Sequence, residues 1–512
     1  MQDHPQEPTP FVDVAETHSG AVLFIGDRAF KFKKPLDLGF VDYRTVESRR
    51  SACEEEVRLN RRLAPDVYLG VGSLSSEGHD EPVVVMRRLP AGRRLSRLIT
   101  DLAEGEVERH SNGADGEHGA DSADVEACLE RLAQLLATFH REAPRTGIAD
   151  RAASTAATSA RWEHNAAEMQ PFEGRLFGEG TLAALVDEAR RYVVGRGPLF
   201  QHRIDDGRAR DGHGDLLAQD IFCGDDGPSV LDCLEFDEAL RAGDVLADVA
   251  FLAMDLERLG RPDLSWRFLD RHRELLDDDW PVSLAHHHIA YRAQVRAKVA
   301  CIRAVQGVTT DEDPELLLRL AARHLRRARV DLVVVGGLPG SGKSTVAADV
   351  ARRCGAVVLS SDEVRKELAG VAPLASAAAP PGEGIYDAGH TARTYAELVR
   401  RARRTLEMGR SVVLDASFTD PATREAPRRL AEDVSAVLVE FQCVAPESVL
   451  EDRVTQRAAA GPSTSDADRS IVAALSRAAA PWPEAVRLDT TRSLQDTVND
   501  AMDAVGAAGS AR

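Results

Sequence analysis

Asp331-Leu332-Val333-Val334-Val335-Gly336, followed at once by Gly337-Leu338-Pro339-Gly340-Ser341-Gly342-Lys343-Ser344-Thr345, decides half of the fold. The first stretch is a short apolar run that reads as a buried strand. The second carries the spacing G-x-x-x-x-G-K-S and leads into a helix-compatible segment that reaches Cys354. Each residue type answers a need of a polyphosphate. Glycines let backbone N–H groups curl around the phosphates, and the helix N-terminus adds positive potential. Lys343 reaches the outer phosphates and Ser344 ligates Mg²⁺. The stretch therefore assigns Gly337, Leu338, Pro339, Gly340, Ser341, Gly342, Lys343, Ser344 and Thr345 to a nucleoside triphosphate, ATP or GTP, with Mg²⁺ as its companion.

Toward the C-terminus, apolar runs at 332–335, 357–360, 411–415, 436–443 and 485–488 alternate with helical stretches. That alternation predicts an α/β P-loop NTPase domain over 329–512, a doubly wound parallel sheet with ligands at the carboxyl ends of its strands. Val412-Val413-Leu414-Asp415 ends in a carboxylate able to hold Mg²⁺ or its water, and no Glu follows it, which disfavours a motor that activates water. Ser360-Ser361-Asp362-Glu363-Val364-Arg365 is similar to the second strand end of small-molecule and polynucleotide P-loop kinases and of the zeta-toxin group. That resemblance implies Asp362 as acceptor of the hydroxyl proton and Arg365 as a holder of the acceptor; the same pair also reads as a helix-capping Asp and a solvated Arg. Arg453 and Arg457, four residues apart on one helical face, resemble lid arginines that neutralise a transferring phosphoryl group, and also read as an exposed face of an arginine-rich chain.

Toward the N-terminus, the arginines that close 311–329 read as a helix end, so the domain boundary is expected between 328 and 329. Lys31, Lys33, Lys34, Lys298, Lys343 and Lys366 are the chain's lysines among 64 basic residues, and three of them cluster at 31–34. In so arginine-rich a chain, a retained lysine marks a place where a compact ammonium resists replacement. Residues 21–34 alternate around Gly26-Asp27, which predicts a hairpin with Phe30 and Phe32 on one face and Lys31 and Lys33 on the other. Residues 45–64 read as an amphipathic helix and 82–89 as a strand. The tract 101–124 is rich in Glu, Gly, Asp and His and reads as a solvated insertion, and residues 1–10 as a disordered tail. Helices then run to about 200, a β-rich stretch spans 211–236, and helices return to 328.

His213-Gly214-Asp215, Asp220 and Val230-Leu231-Asp232 form the second chemical cluster. It resembles the kinase-like fold of the aminoglycoside phosphotransferase family, whose catalytic loop reads H-G-D-x-x-x-x-N before a strand that ends in a metal-binding Asp. The resemblance implies an α+β kinase-like domain over 11–328, with Asp215 as catalytic base and Asp232 as principal metal ligand. Asp220 stands in the Asn position and can still offer an oxygen to Mg²⁺. It also implies Lys31 as the phosphate lysine paired with Glu56, with Lys33 and Glu55 as the alternatives. The family's Gly-rich loop has no counterpart before Lys31. Further stretches, Lys31-Phe32-Lys33-Lys34-Pro35-Leu36-Asp37-Leu38-Gly39-Phe40, Glu56-Val57-Arg58-Leu59-Asn60-Arg61-Arg62-Leu63, Leu234-Glu235-Phe236 and Val295-Arg296-Ala297-Lys298, resemble a bacterial two-domain family that joins such a domain to a C-terminal ATP-binding P-loop domain. Asp244 and Asp248 match a helix start in the phosphotransferases, although N-terminal helix charge and capping suffice for both. Tyr291, Arg292, Arg296 and Lys298 read as a solvated basic face, with an acceptor-anion site as the alternative.

A formal charge of −19 argues against nucleic acid or an anionic membrane as the main partner. The seven cysteines at 53, 128, 223, 233, 301, 354 and 443 show no C-x-x-C pair and suit reduced thiols in a cytoplasm. No leader segment and no run of about 18 apolar residues stands out, so neither export nor a membrane span is expected. The whole predicts a cytoplasmic ATP- and Mg²⁺-dependent phosphotransferase for a small-molecule hydroxyl, with two potential nucleotide sites. The other reading is a regulatory ATP-binding protein whose N-terminal half is a pseudokinase. Acceptor and oligomeric state are not readable.

Overall fold

The computed structural model describes residues 11–16, 20–37, 42–76, 79–112, 122–307, 312–372, 375, 383–460 and 468–508. The expected tail 1–10 and the centre of the 101–124 tract lie outside them. The flanks of that tract are helical, belonging to helices Leu95–Asn112 and Ser122–Glu142. By contacts the chain divides into two compact units. The first comprises Met1–Gly178, His202–Trp280 and His288–Ala321, and the second Glu179–Gln201, Pro281–His287 and Ala322–Arg512.

The first unit opens with strands β1 (Val12–Glu16), β2 (Gly20–Ile25), β3 (Arg28–Lys33), β4 (Tyr68–Ser76) and β5 (His79–Arg87). They form an antiparallel sheet in the order β1-β2-β3-β5-β4. The hairpin turns at Gly26-Asp27, pairing Gly20 with Lys33 and Ile25 with Arg28. Ala29, Lys31 and Lys33 share one face, as period two requires. On it Ala29 packs with Cys53 and Val57 of helix Val46–Asn60, which brings the lysines beneath that helix. Further along come β6 (Ala209–Asp211), β7 (Ile221–Gly224), β8 (Gly227–Val230) and β9 (Ala242–Asp244), paired as β6-β9 and β7-β8. Helix Val245–Arg258 follows and is buried along most of its length.

The second unit holds β10 (Asp331–Gly336), β11 (Val357–Ser360), β12 (Val412–Asp415), β13 (Val437–Val444) and β14 (Val486–Asp489). All pair in parallel in the order β11-β12-β10-β13-β14, the expected doubly wound sheet. The central strand is completely buried from Leu332 to Val335, as its apolar run demands. Helix Lys343–Cys354 packs on it through Val346, Ala347 and Val350.

Two expectations differ from the structure. Residues 179–201 and 281–287 pack with the parallel sheet's unit, although they were read within the N-terminal half. The backbones touch closely there: a Cβ at Gly195 would stand 2.1 Å from the Val434 carbonyl oxygen, and Ser283 donates to the Gly409 carbonyl at 2.7 Å. Nor are all thiols free: Cys128 and Cys223 form a disulfide, while Cys53, Cys233, Cys301, Cys354 and Cys443 do not. The bonded pair is 95 residues apart, on helix Ser122–Glu142 and on β7, so only tertiary packing brings it together. No helix of the described residues is long and apolar enough to cross a membrane.

Candidate functional site

The residues assigned by sequence to the phosphate loop collect at the carboxyl ends of the parallel strands. Lys343 and Ser344 open their helix directly after the turn 337–342. Gly340 sits at φ +83°, and a Cβ there would lie 2.5 Å from the Leu450 carbonyl oxygen, so only glycine fits. The register places Val335 beside Asp415 and Asp415 beside Ser360. Asp362 and Arg365 follow in helix Ser361–Leu368 and so belong to the same end of the sheet. Asp415 is buried and accepts a hydrogen bond from Ser344. Burial raises its pKa, and the Lys343 ammonium opposes that rise. Its Oδ1 has no hydrogen-bond partner. A desolvated carboxylate oxygen with no donor, beside the serine that opens the helix, is a donor set that fits Mg²⁺.

Arg365 is not the solvated residue of the alternative reading. It is buried, with Nη1 donating to the Ile385 carbonyl and to Thr391 Oγ1, each at 3.0 Å, and its guanidinium 5.0 Å from the centre of the Tyr386 ring. Nor does Asp362 cap its helix; Ser360 holds that position. Arg453 reaches the phosphate loop itself, with Nη1 3.4 Å from the Gly340 carbonyl and Nη2 donating to the Thr490 carbonyl at 2.7 Å. Arg457 is one turn further along the same helix, Glu447–Ala460.

The first unit gathers its charges from distant segments. Lys31 Nζ lies 2.8 Å from Glu56 and 2.5 Å from Asp232, whereas Lys33 Nζ lies 2.6 Å from Glu56 and 2.5 Å from Glu235. Both lysines therefore share the buried Glu56, and Lys31 is the one that faces Asp232. Glu55 pairs with Arg58 instead. Burial works against the charge of Lys31, but Asp232 and Glu56 outweigh it and raise its pKa. Glu56 is lowered in turn: its burial is more than offset by the two lysines. Asp232 follows β8 at φ +65°, and its N–H lies 3.3 Å from Tyr68 Oη.

Asp215 and Asp220 stand near this pair. The enclosed position of Asp215 raises its carboxyl to about 6, with Arg296 opposing and Asp232 adding to the rise. Asp220 is pushed well above its ordinary value by desolvation and by the charges of Asp232 and Asp215. Burial and mutual repulsion beside Asp232 therefore hold Asp215 and Asp220 above the ordinary carboxylate range.

The loop that carries Asp215 is held from below. Asp248 accepts hydrogen bonds from the N–H groups of His213 and Gly214, each at 2.8 Å, and His140 Nε2 lies 3.0 Å from it. One helical face further on, Asp255 accepts from the Ala218 N–H at 2.9 Å. Gly214 has φ +86°, and a Cβ there would meet Arg241 Cβ at 2.7 Å. Capping therefore accounts for Asp244, which accepts from the Leu246 N–H, but not for Asp248. The sequence reading missed Asp255. Its signal was two acids seven residues apart in an otherwise apolar run. Arg292 and Arg296 are also not a solvated face. Both are buried: Arg292 Nη1 points to the Gly214 carbonyl at 3.4 Å, and Arg296 pairs with Glu312 through Nε at 3.0 Å and through Nη2.

Residues 332–482 match the AAA domain family. An uncharacterized protein of Mycobacterium tuberculosis (strain ATCC 25618 / H37Rv) is 41% identical over 501 residues, covering 97% of this chain and 96% of that protein. Among solved structures, a gluconokinase from Sinorhizobium meliloti 1021 is 21% identical and covers 35% of this chain and 94% of its own, with a TM-score of 0.26. A choline/ethanolamine kinase family protein from Mesorhizobium loti is 11% identical and covers 63% of this chain and 88% of its own, with a TM-score of 0.36.

Proposed function

The chain belongs to the family of that mycobacterial protein, and from that premise we propose an ATP- and Mg²⁺-dependent phosphotransferase acting on a small-molecule hydroxyl, with a protein-kinase-like domain ahead of its P-loop domain. The observation that carries the reading is the phosphate loop with Lys343 and Ser344 at the helix start and the unpartnered Asp415 Oδ1 beside them. In this proposal the loop N–H groups and Lys343 bind the β- and γ-phosphates. Ser344 and Asp415 hold Mg²⁺ or its water, and Asp362 takes the acceptor proton. When bound, the metal supplies charge neutralisation on the phosphates. Arg453 steadies the loop from behind through the Gly340 carbonyl.

We assign a second nucleotide site to the first unit. Lys31, fixed by Glu56, grips phosphate there; Asp232 and Asp220 hold Mg²⁺, and Asp215 orients and deprotonates the hydroxyl. A base raised to about 6 suits proton transfer near neutral pH better than an ordinary aspartate does. The regulatory reading keeps one observation in its favour: a third acid, Asp220, stands where the kinase-like fold uses a neutral ligand. A small acceptor and a cytoplasmic setting complete the proposal, and the net charge of −19 supports the absence of a nucleic-acid partner.

The test is mass spectrometry of a metabolite extract incubated with ATP, Mg²⁺ and the full-length protein, run beside Lys343→Ala and Asp215→Ala. A phosphorylated product that needs Lys343 supports the C-terminal site, and one that needs Asp215 supports the N-terminal site. Loss with neither variant overturns both assignments.

A further inference from the structure

The second unit contains a cavity of about 260 Å³ that the phosphate chemistry does not use. It lies at the opposite end of the sheet, where Val330 and Val437 lead into β10 and β13. Six strand residues at ~3.3 Å each put it about 20 Å from the phosphate loop. Three guanidinium groups line it: Arg191 and Arg196, at and just past the end of helix Thr181–Gly195, and Arg329, just after helix Pro314–Ala328.

Arg196 is the telling residue. It is 1% exposed, yet no carboxylate of the described residues lies within ion-pairing distance of it. Nη1 donates to the Gly195 carbonyl at 2.8 Å and the Val434 carbonyl at 2.6 Å, and the group lies 5.8 Å from the centre of the Tyr192 ring. Its Nε has no partner. Burial lowers its pKa to about 10, because Tyr192, Glu407 and Asp331 compensate only weakly. A buried cation held by carbonyl groups alone is costly unless a counter-charge completes it. One acid on the wall is already engaged with another arginine: Glu188 is 2.9 Å from Arg191.

We propose that this cavity is a binding site for a small organic oxyanion, the phosphate or carboxylate group of a metabolite too small to be a nucleotide. Arg196 and Arg329 would bind the oxyanion, with Arg191 at the rim. Tyr192, Leu325 and Val437 would contact a short apolar body. Planar guanidinium groups suit either oxyanion, and the volume suits roughly a dozen heavy atoms, below the usual range for drug-sized ligands.

Calorimetry on the full-length protein tests the site with two probes, inorganic phosphate and citrate, at constant ionic strength. Each is run on wild type, Lys343→Ala, Arg191→Met and Arg196→Met. Lys343→Ala removes phosphate binding at the loop and should leave the cavity's affinity unchanged. Arg196→Met should weaken binding at least about tenfold, and the exposed Arg191→Met about threefold. A preference for one probe tells phosphate from carboxylate. If Arg196→Met does not fold, Arg191→Met and Arg329→Met carry the test. The proposal is overturned if neither probe binds saturably by about 10 mM, if the arginine variants bind as wild type does, or if Lys343→Ala abolishes binding. None of those results bears on nucleotide binding at Lys343, which ATP titration reads separately.

Discussion

The two proposed phosphate centres would solve one electrostatic problem by different means. In the second unit one continuous stretch, 336–345, supplies backbone donors, the ammonium and the hydroxyl, while Asp415, Asp362 and Arg453 join it from other elements. In the first unit, Lys31, Glu56, Asp215, Asp220 and Asp232 come from five places, and Asp248 and Asp255 are needed to hold the loop between them. The contiguous site presents backbone groups and leaves one oxygen of its buried carboxylate without a partner. The assembled site pairs Lys31 with Glu56 and Asp232 but leaves Asp215 and Asp220 in mutual repulsion. One therefore depends on local backbone geometry, the other on tertiary structure.

The largest expected effect falls on the assembled site. Asp215→Ala removes the general base and should lower transfer by the N-terminal site about 10²- to 10⁴-fold while nucleotide binding stays unchanged. Single-turnover kinetics beside equilibrium titration separate the two. Equal loss of binding and transfer would mean that Asp215 belongs to the nucleotide pocket, and the assigned division of labour would fail.

Anchoring should separate the centres next. Asp248→Ala strips the His213 and Gly214 N–H groups of their acceptor and leaves His140 without its carboxylate partner. At about 1–3 kcal/mol for each buried group left unsatisfied, several kcal/mol of stability should go, read as a lower denaturant midpoint. Asp415→Asn should instead be neutral or slightly stabilising, within about 1 kcal/mol, because it removes a buried charge whose Oδ1 has no partner. Its loss should appear in magnesium-dependent nucleotide binding. A large destabilisation from Asp415→Asn would show that the contiguous site is held together by that carboxylate after all.

Lys343→Ala removes the ammonium at the outer phosphates. ATP affinity at the C-terminal site should fall at least about tenfold, ~1.4 kcal/mol, in calorimetry. The full-length chain is the right material, since residues 179–201 and 281–287 belong to the same unit as the loop. Unchanged affinity there, with the N-terminal site silenced by Asp232→Ala, contradicts the loop assignment.

Legibility in the sequence follows the same division. The five parallel strands were readable within about one residue at each end: β10 and β12 are buried apolar runs, and β11, β13 and β14 carry shorter or partly exposed apolar runs between helical stretches. The loop was readable because its chemistry is contiguous. Lys31 and Lys33 were correctly placed on one face by period two, but that same periodicity made them equivalent. Only the position of Asp232 across the cleft separates them. Arg292 and Arg296 looked like surface because single-chain composition does not report what packs over a helix; in the fold, Glu312 covers Arg296 and the loop at Gly214 covers Arg292. The Cys128–Cys223 bond and the passage of 179–201 into the second unit depend on contacts between distant segments, which local patterns do not encode.

The smallest effect is a shift in a pH profile, and it tests whether the assembled site sets the acidity of its own base. Asp215 acts as a base only when ionised, and its carboxyl is raised from 3.8 to about 6. Transfer by the N-terminal site should therefore be lost as pH falls through about 6. Stability should move the other way: a raised carboxyl holds its proton in the folded chain while the unfolded chain has released it, so between about 6 and 4 falling pH favours folding at this residue. Arg296 is the strongest of the groups that oppose the rise. Arg296→Met should move the acid limb of kcat/KM upward by about half a unit, ~0.7 kcal/mol, with little change in the plateau. Arg296 belongs to the first unit, so the limb of any C-terminal activity should not move. A limb that stays at the same pH in Arg296→Met would mean that enclosure alone sets the acidity of Asp215, leaving Arg296 a purely structural partner of Glu312.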